Sequence, residues 1–88
     1  MAWRIDYSSE AVRQLKKIDK GQAKRIRDYM RRIETMDNPR DTGEQLIDPK
    51  FYGYWRYRVG DYRIICDIQD KELVVLIVRF GQRDKVYR

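Results

Sequence analysis

Apolar residues recur along this chain with two different periods, and the change from one to the other falls near residue 40. Trp3 to Tyr7 alternates apolar with polar, which predicts a short strand. Ser8 is a natural N-cap for the segment that follows, and Glu10 puts negative charge in its first turn. Ala11, Leu15 and Ile18 then recur at helical spacing, with Lys16, Lys17 and Lys20 crowding the last turn, where cations are favoured. Gly21 weakens this helix. A second helix is predicted beyond it, with Ala23, Ile26, Met30 and Ile33 as its apolar stripe. Asn38-Pro39 stops it. Residues 1–40 read as a strand plus a helical hairpin.

The second half alternates with period two. A loop around Asp41 to Lys50 leads into a strand over Tyr52–Val59. Gly60-Asp61 is a two-residue hairpin signal, and Tyr62–Ile68 is the return strand. Gln69–Glu72 reads as a polar turn. Leu73–Phe80 reads as a strand, and the unbroken apolar run in it, up to Arg79, suggests burial on both faces. The expected fold is α+β, in the order β-α-α-β-β-β, an antiparallel sheet with the helix pair packed on one face. No repeat or linker divides the chain, so residues 1–88 are read as one domain.

The hairpin allows register to be read directly. With Gly60-Asp61 as the turn, Val59 pairs with Tyr62, Arg58 with Arg63, Tyr57 with Ile64 and Arg56 with Ile65. One face then carries Arg56, Arg58 and Arg63. The other carries Trp55, Tyr57, Val59, Tyr62, Ile64 and Cys66, the natural core face under the helices. Two arginines opposite each other repel. A face that holds three of them has an anion to place there, and phosphate matches the guanidinium fork best. The competing reading is that they pair with local carboxylates such as Asp61 or Asp67, or splay into water.

Charge agrees with an anionic partner. Lys+Arg number 20 against 14 Asp+Glu, a formal charge of +6. Nucleic acid, an anionic membrane face and an acidic protein all remain open on that ground. No apolar run approaches a membrane span, and the first residues form no signal-peptide core, so a cytoplasmic location without membrane attachment is expected. The single Cys66 excludes an internal disulfide and reads as an inert core thiol. Histidine is absent, which removes the commonest acid-base group and metal ligand. No metal or other cofactor is expected, and Asp41, Glu44 and Asp48 have no spacing that suggests one. An enzyme of this composition would move protons with Tyr, Lys, Arg, Asp or Glu, and would depend on positioning and cationic stabilisation.

The helices carry a second basic feature. Lys16, Lys17, Lys24, Arg31 and Arg32 belong to a run with few acidic residues, readable either as a solvated exterior or as a surface for the RNA backbone. Trp3 and Trp55 are assigned to the core. Beyond the last strand, Arg83 and Tyr87 are four residues apart, and a tail that crossed the sheet face would bring them to the arginine cluster.

Tyr54-Trp55-Arg56-Tyr57-Arg58-Val59-Gly60-Asp61-Tyr62-Arg63-Ile64-Ile65, followed by Val78-Arg79-Phe80-Gly81-Gln82-Arg83 and then Val86-Tyr87, resembles the RelE toxins of bacterial toxin–antitoxin systems. Their wider superfamily includes the ParE toxins. The resemblance covers essentially the whole chain. It implies a ribosome-dependent, metal-independent endoribonuclease that cuts mRNA in the A site and inhibits translation. In that chemistry the 2′-hydroxyl attacks the adjacent phosphate, leaving a cyclic phosphate and a free 5′-hydroxyl. By the same resemblance Tyr87 is the general base or orients it, Arg83 stabilises the phosphorane, Arg63 clamps the scissile phosphate, and Arg56 and Arg58 are basic neighbours on the same strand. The implied partners are a RelB-like antitoxin, and the 70S ribosome with its rRNA and A-site mRNA. Operator DNA would be met only through the antitoxin. Some relatives carry lysines where this chain has Tyr54, Trp55 and Arg56, so a lysine proton shuttle is not expected. Nor is a tail extension of the kind some relatives use in antitoxin control, since a single residue follows Tyr87. The alternatives are a ParE-like gyrase inhibitor and a non-catalytic ribosome- or RNA-binding module.

Overall fold

The computed structural model describes residues 3–82, which form two helices against one five-stranded sheet. In chain order the strands are β1 (Arg4–Tyr7), β2 (Glu44–Gln45), β3 (Trp55–Val59), β4 (Tyr62–Gln69) and β5 (Val74–Gln82). The helices are α1 (Ser9–Lys17) and α2 (Lys20–Thr35). The sheet order is β1-β5-β4-β3-β2. β2 through β5 are antiparallel as expected, whereas β1 runs parallel to β5, with Arg4 opposite Val74 and Tyr7 opposite Ile77. The helix pair carries the chain from β1 across to the far side of the sheet, where β3 runs parallel to β1, and the two antiparallel reversals β3–β4 and β4–β5 then bring β5 back beside β1 in the parallel sense.

The helices form where capping and pattern coincide. Ser8 caps α1 by accepting the Ala11 amide, and its hydroxyl also donates to the Val78 carbonyl. The break between the helices comes earlier than Gly21. Asp19 caps α2 by accepting the amides of Gly21 and Gln22, so Gly21 lies inside the first turn and Lys20 opens α2 instead of closing α1. A capping carboxylate outweighs the propensity cost of one glycine here. Ala23, Ile26, Met30 and Ile33 are the buried residues of α2, as the apolar stripe predicts.

The principal core lies between helices and sheet. It joins Ala11, Ile26, Met30 and Ile33 to Tyr57, Val59, Ile64, Cys66, Val75, Ile77 and Phe80. Trp3 belongs to it, and Trp55 packs against it with its indole N–H donating 2.8 Å to the Thr42 carbonyl. β5 sits between β1 and β4, with Val75, Ile77 and Phe80 in the core under the helices, whereas Leu76 and Val78 are only half-buried, so the burial on both faces expected from the apolar run is incomplete. A second, smaller cluster of Leu46, Phe51 and Ile65, with Tyr54 packed against it, covers part of the opposite sheet face. It is built from the loop before β3, which contains β2 and two short 3-10 turns, Pro39–Asp41 and Pro49–Phe51. That loop therefore has more order than its polar composition suggests.

Candidate functional site

The face opposite the helices is organised by alternation along β3, β4 and β5. Val59–Tyr62, Arg58–Arg63, Tyr57–Ile64 and Arg56–Ile65 pair across the hairpin in the expected register. Gly60 makes this turn possible, because its φ of 58° lies in the left-handed region. Tyr57 and Ile64 enter the principal core, so Arg56, Arg58 and Arg63 share the opposite face.

β5 extends this face with a residue that sequence reasoning passed over. Arg79 is opposite Ile65 and Gly81 is opposite Arg63. Phe80 is buried in the core, so its neighbours 79 and 81 turn to the arginine side. Alternation outward from Phe80 was a usable signal for Arg79. The apolar run before it concealed the change. The result is an array of four arginines on three adjacent strands, with a glycine rather than a side chain beside Arg63.

One carboxylate serves two of the four. Glu44 on β2 is opposite Arg56, and its Oε1 accepts from Arg56 Nη2 at 2.5 Å and from Arg58 Nη2 at 3.1 Å. These hydrogen bonds, Arg56 first and Arg58 second, hold the Glu44 carboxyl below its usual range. The local carboxylates considered from sequence do not take this part. Asp61 lies in the hairpin turn, and Asp67 is opposite Leu76, further along β4. Among the described residues neither Arg63 nor Arg79 has a carboxylate partner, and Arg79 Nε is buried without a hydrogen bond. The side chain of Arg56 is 14% exposed and that of Arg58 60%, so Arg56 is the more fixed of the pair.

Arg83 and Tyr87 lie outside the described residues. Gln82, the last residue of β5, lines a cleft of about 370 Å³ together with Gln14, Lys17, Ile18, Tyr62 and Arg79. Lys17 therefore stands near the end of β5, where Gln14 donates to the Phe80 carbonyl and accepts its amide at 2.9 and 2.8 Å. The other basic helix positions are spread out. Lys24 pairs with Asp28 at 2.8 Å, Arg32 lies 5.1 Å from the Tyr29 ring centre, and Arg31 borders a cleft with Tyr7, Arg27 and Glu34. Lys16 is exposed on α1. Of the helix cations singled out from sequence, Lys17 lines a cleft together with Arg79 and Arg32 lines one together with Arg58, whereas, among the described residues, Lys16, Lys24 and Arg31 share no cleft with the sheet arginines.

The arrangement suits a phosphate anion. Arginines from three neighbouring strands share one sheet face, which is covered in part by the Leu46, Phe51 and Ile65 cluster, and a guanidinium fork matches phosphate oxygens. Burial pushes the Tyr57 phenol well above its usual pKa, and it donates 2.6 Å to the Pro39 carbonyl, so it has a structural role. Cys66 is fully buried and its thiol is likewise pushed up by burial.

Residues 5–87 match the family model described as ParE toxin of type II toxin-antitoxin system, parDE. No curated protein matches the chain. Among solved structures it is similar to RelE in the archaeal RelE–RelB complex of Pyrococcus horikoshii, with TM-score 0.74, 23% identity, and 96% of this chain and 98% of that one covered. It is also similar to an arginine-mutant form of E. coli RelE in the free state, with TM-score 0.77, 17% identity and coverages of 96% and 86%. A third is the RelBE2 toxin–antitoxin complex of Mycobacterium tuberculosis, with TM-score 0.70, 24% identity and coverages of 94% and 93%. At these identities the structural likeness is one of fold.

Proposed function

The chain belongs to the family of ParE toxins of type II toxin–antitoxin systems, within the RelE/ParE superfamily, and from that premise we propose that it is a ribosome-dependent mRNA endoribonuclease. One observation carries the reading. Arg56, Arg58, Arg63 and Arg79 share one sheet face, where Glu44 pairs with Arg56 and Arg58. A surface with that excess of guanidinium is matched to a phosphodiester whose charge grows during reaction.

In the proposed chemistry the 2′-oxygen of the mRNA forms a bond to the adjacent phosphorus. The bond to the 5′-oxygen breaks, and that oxygen takes up a proton. Arg63 holds a non-bridging oxygen of the scissile phosphate. Arg56, fixed by Glu44, adds positive charge beside it. By the resemblance described above, Arg83 stabilises the phosphorane and Tyr87 accepts or orients the 2′-hydroxyl proton. A tyrosine with an ordinary pKa near 10 is a weak base at neutral pH, and neighbouring guanidinium groups favour the tyrosinate. The A site supplies alignment that a small open face lacks.

The antitoxin partner follows the same reading. Solved relatives include RelE–RelB complexes, and a RelB-like chain that covers the arginine face would silence this toxin. Lys16, Lys17, Lys24, Arg31 and Arg32 contribute to rRNA contact in this proposal and not to the chemical step.

The test is cleavage of a defined mRNA on programmed ribosomes, beside the same mRNA free in solution. Cutting confined to the A site, with a cyclic-phosphate product, is expected. Arg63→Ala should lower the rate by roughly a hundredfold while circular dichroism stays unchanged. No cutting, together with poisoning of gyrase in a supercoiling assay, would replace this reading with gyrase inhibition.

A further inference from the structure

A cleft of about 400 Å³ lies between the tip of the β3–β4 hairpin and the outer side of α2. Its lining includes Arg25, Asp28, Tyr29, Arg32 and Arg58. Arg25 and Arg32 are seven residues apart and so share a helix face. Arg58 reaches the cleft from β3 while it also stands opposite Arg63 on the arginine face. Among the described residues the one carboxylate in the lining is Asp28, and it is engaged by Lys24 at 2.8 Å, which leaves an excess of positive charge among them.

The cleft has a shaped wall. Arg32 is placed over the Tyr29 ring, 5.1 Å from its centre, and Arg25 Nη1 is held by Gln22 Oε1 at 3.4 Å. The guanidinium of Arg25 also lies against the hairpin turn, because a Cβ added to Gly60 would meet Arg25 Nη1 at 3.4 Å. Arg58 is thus common to two cationic surfaces that would otherwise be separate.

We infer that this cleft is a second phosphate subsite for single-stranded RNA, occupied by backbone that leaves the arginine face round the hairpin edge. The inference rests on the RNA-cleavage reading above and names a contact that reading does not contain. A lining dominated by Arg25, Arg32 and Arg58, with Tyr29 and Val59 as its apolar part, favours a phosphodiester over an amphipathic protein helix, which would need a continuous apolar groove. Arginine forks on two different elements suit successive non-bridging oxygens.

The test is fluorescence-anisotropy binding of two RNA probes to the full chain across a salt titration. One probe has roughly ten nucleotides, enough to reach both surfaces, and the other is a trinucleotide. R25Q/R32Q should weaken the longer probe about tenfold and reduce its salt slope by about one, with little effect on the trinucleotide. Arg63→Gln should weaken both probes. A double control, K20Q/K71Q, removes the same charge from exposed positions elsewhere.

Equal losses in R25Q/R32Q and the control would overturn the subsite in favour of diffuse attraction. Unchanged RNA binding with weakened antitoxin binding would overturn it in favour of a protein contact. In both cases a loss with Arg63→Gln would leave the cleavage reading standing. Absence of binding to either probe by the unaltered chain would overturn the subsite alone, because the cleavage reading is decided by the assay on programmed ribosomes. Thermal melts by circular dichroism confirm that each variant is folded.

Discussion

Glu44 is the residue on which the arginine face turns. Its carboxylate competes with any incoming phosphate for Arg56 and Arg58. Glu44→Gln removes that competitor, so affinity for a short RNA should rise several-fold, measured by anisotropy at fixed salt. The same substitution should cost less than about 1 kcal/mol of stability, as exposed ion pairs do. The pH dependence follows from the direction of the shift. The folded state holds the Glu44 carboxyl below its ordinary value of 4.5, so the stability it contributes is complete above that pH. It disappears as pH falls through the lower folded value. Urea midpoints of the two forms should differ by a constant amount near neutrality and converge in acid. Tyr57 is a contrasting residue, with a role in stability alone. Its buried hydroxyl donates 2.6 Å to the Pro39 carbonyl, and Pro39 is itself buried. Tyr57→Phe should cost about 1–2 kcal/mol in urea unfolding, because the carbonyl is left without a donor.

At the scale of elements, the joint between α1 and β5 decides how the end of the sheet is held. β1 pairs with β5 only as far as Ile77. Beyond that point the Ser8 hydroxyl takes the Val78 carbonyl and the Gln14 side chain takes both the amide and the carbonyl of Phe80. One glutamine thus replaces a residue of a missing strand. Gln14→Leu should leave both groups unpaired and raise amide exchange at Phe80 well above that at Val75, as measured by hydrogen-exchange NMR. Ser8→Ala removes a helix cap and a sheet contact together and should cost about 1–2 kcal/mol in thermal or urea unfolding. The elements differ in how far the sequence exposes them. The β3–β4 register was readable because a two-residue turn leaves no freedom of pairing, and α2 was readable because Ala23, Ile26, Met30 and Ile33 keep one period. The parallel β1–β5 pair was not readable, since the strands are far apart in sequence and pairing sense has no local signature. β2 was hidden for another reason. Two residues are too few to show alternation, and with β2 unrecognised, Glu44 could not be seen as the counterion of Arg56 and Arg58. Arg79 was obscured by the apolar run that ends beside it.

For the whole molecule, the sheet separates two tasks. One face is closed by helices and forms the main core, while the other displays arginines at one end and acidic Asp6 and Asp67, both opposite Leu76, at the other. Asp6 is paired there with Arg4 at 3.1 Å, so the net charge of this face is the positive charge at the arginine end, which is where an approaching polyanion is drawn. Among the described residues no helix is long and apolar enough to cross a membrane. The closed side also determines how Cys66 can be used. Its sulfur is fully buried at the centre of β4, and burial keeps the thiol protonated. A thiol-reactive dye added to the native chain will therefore wait for the core to open, and at low denaturant its uptake will be timed by global unfolding. With no second cysteine to confuse the signal, the molecule contains its own clock for measuring how an antitoxin, a ribosome or a substitution changes the lifetime of the fold.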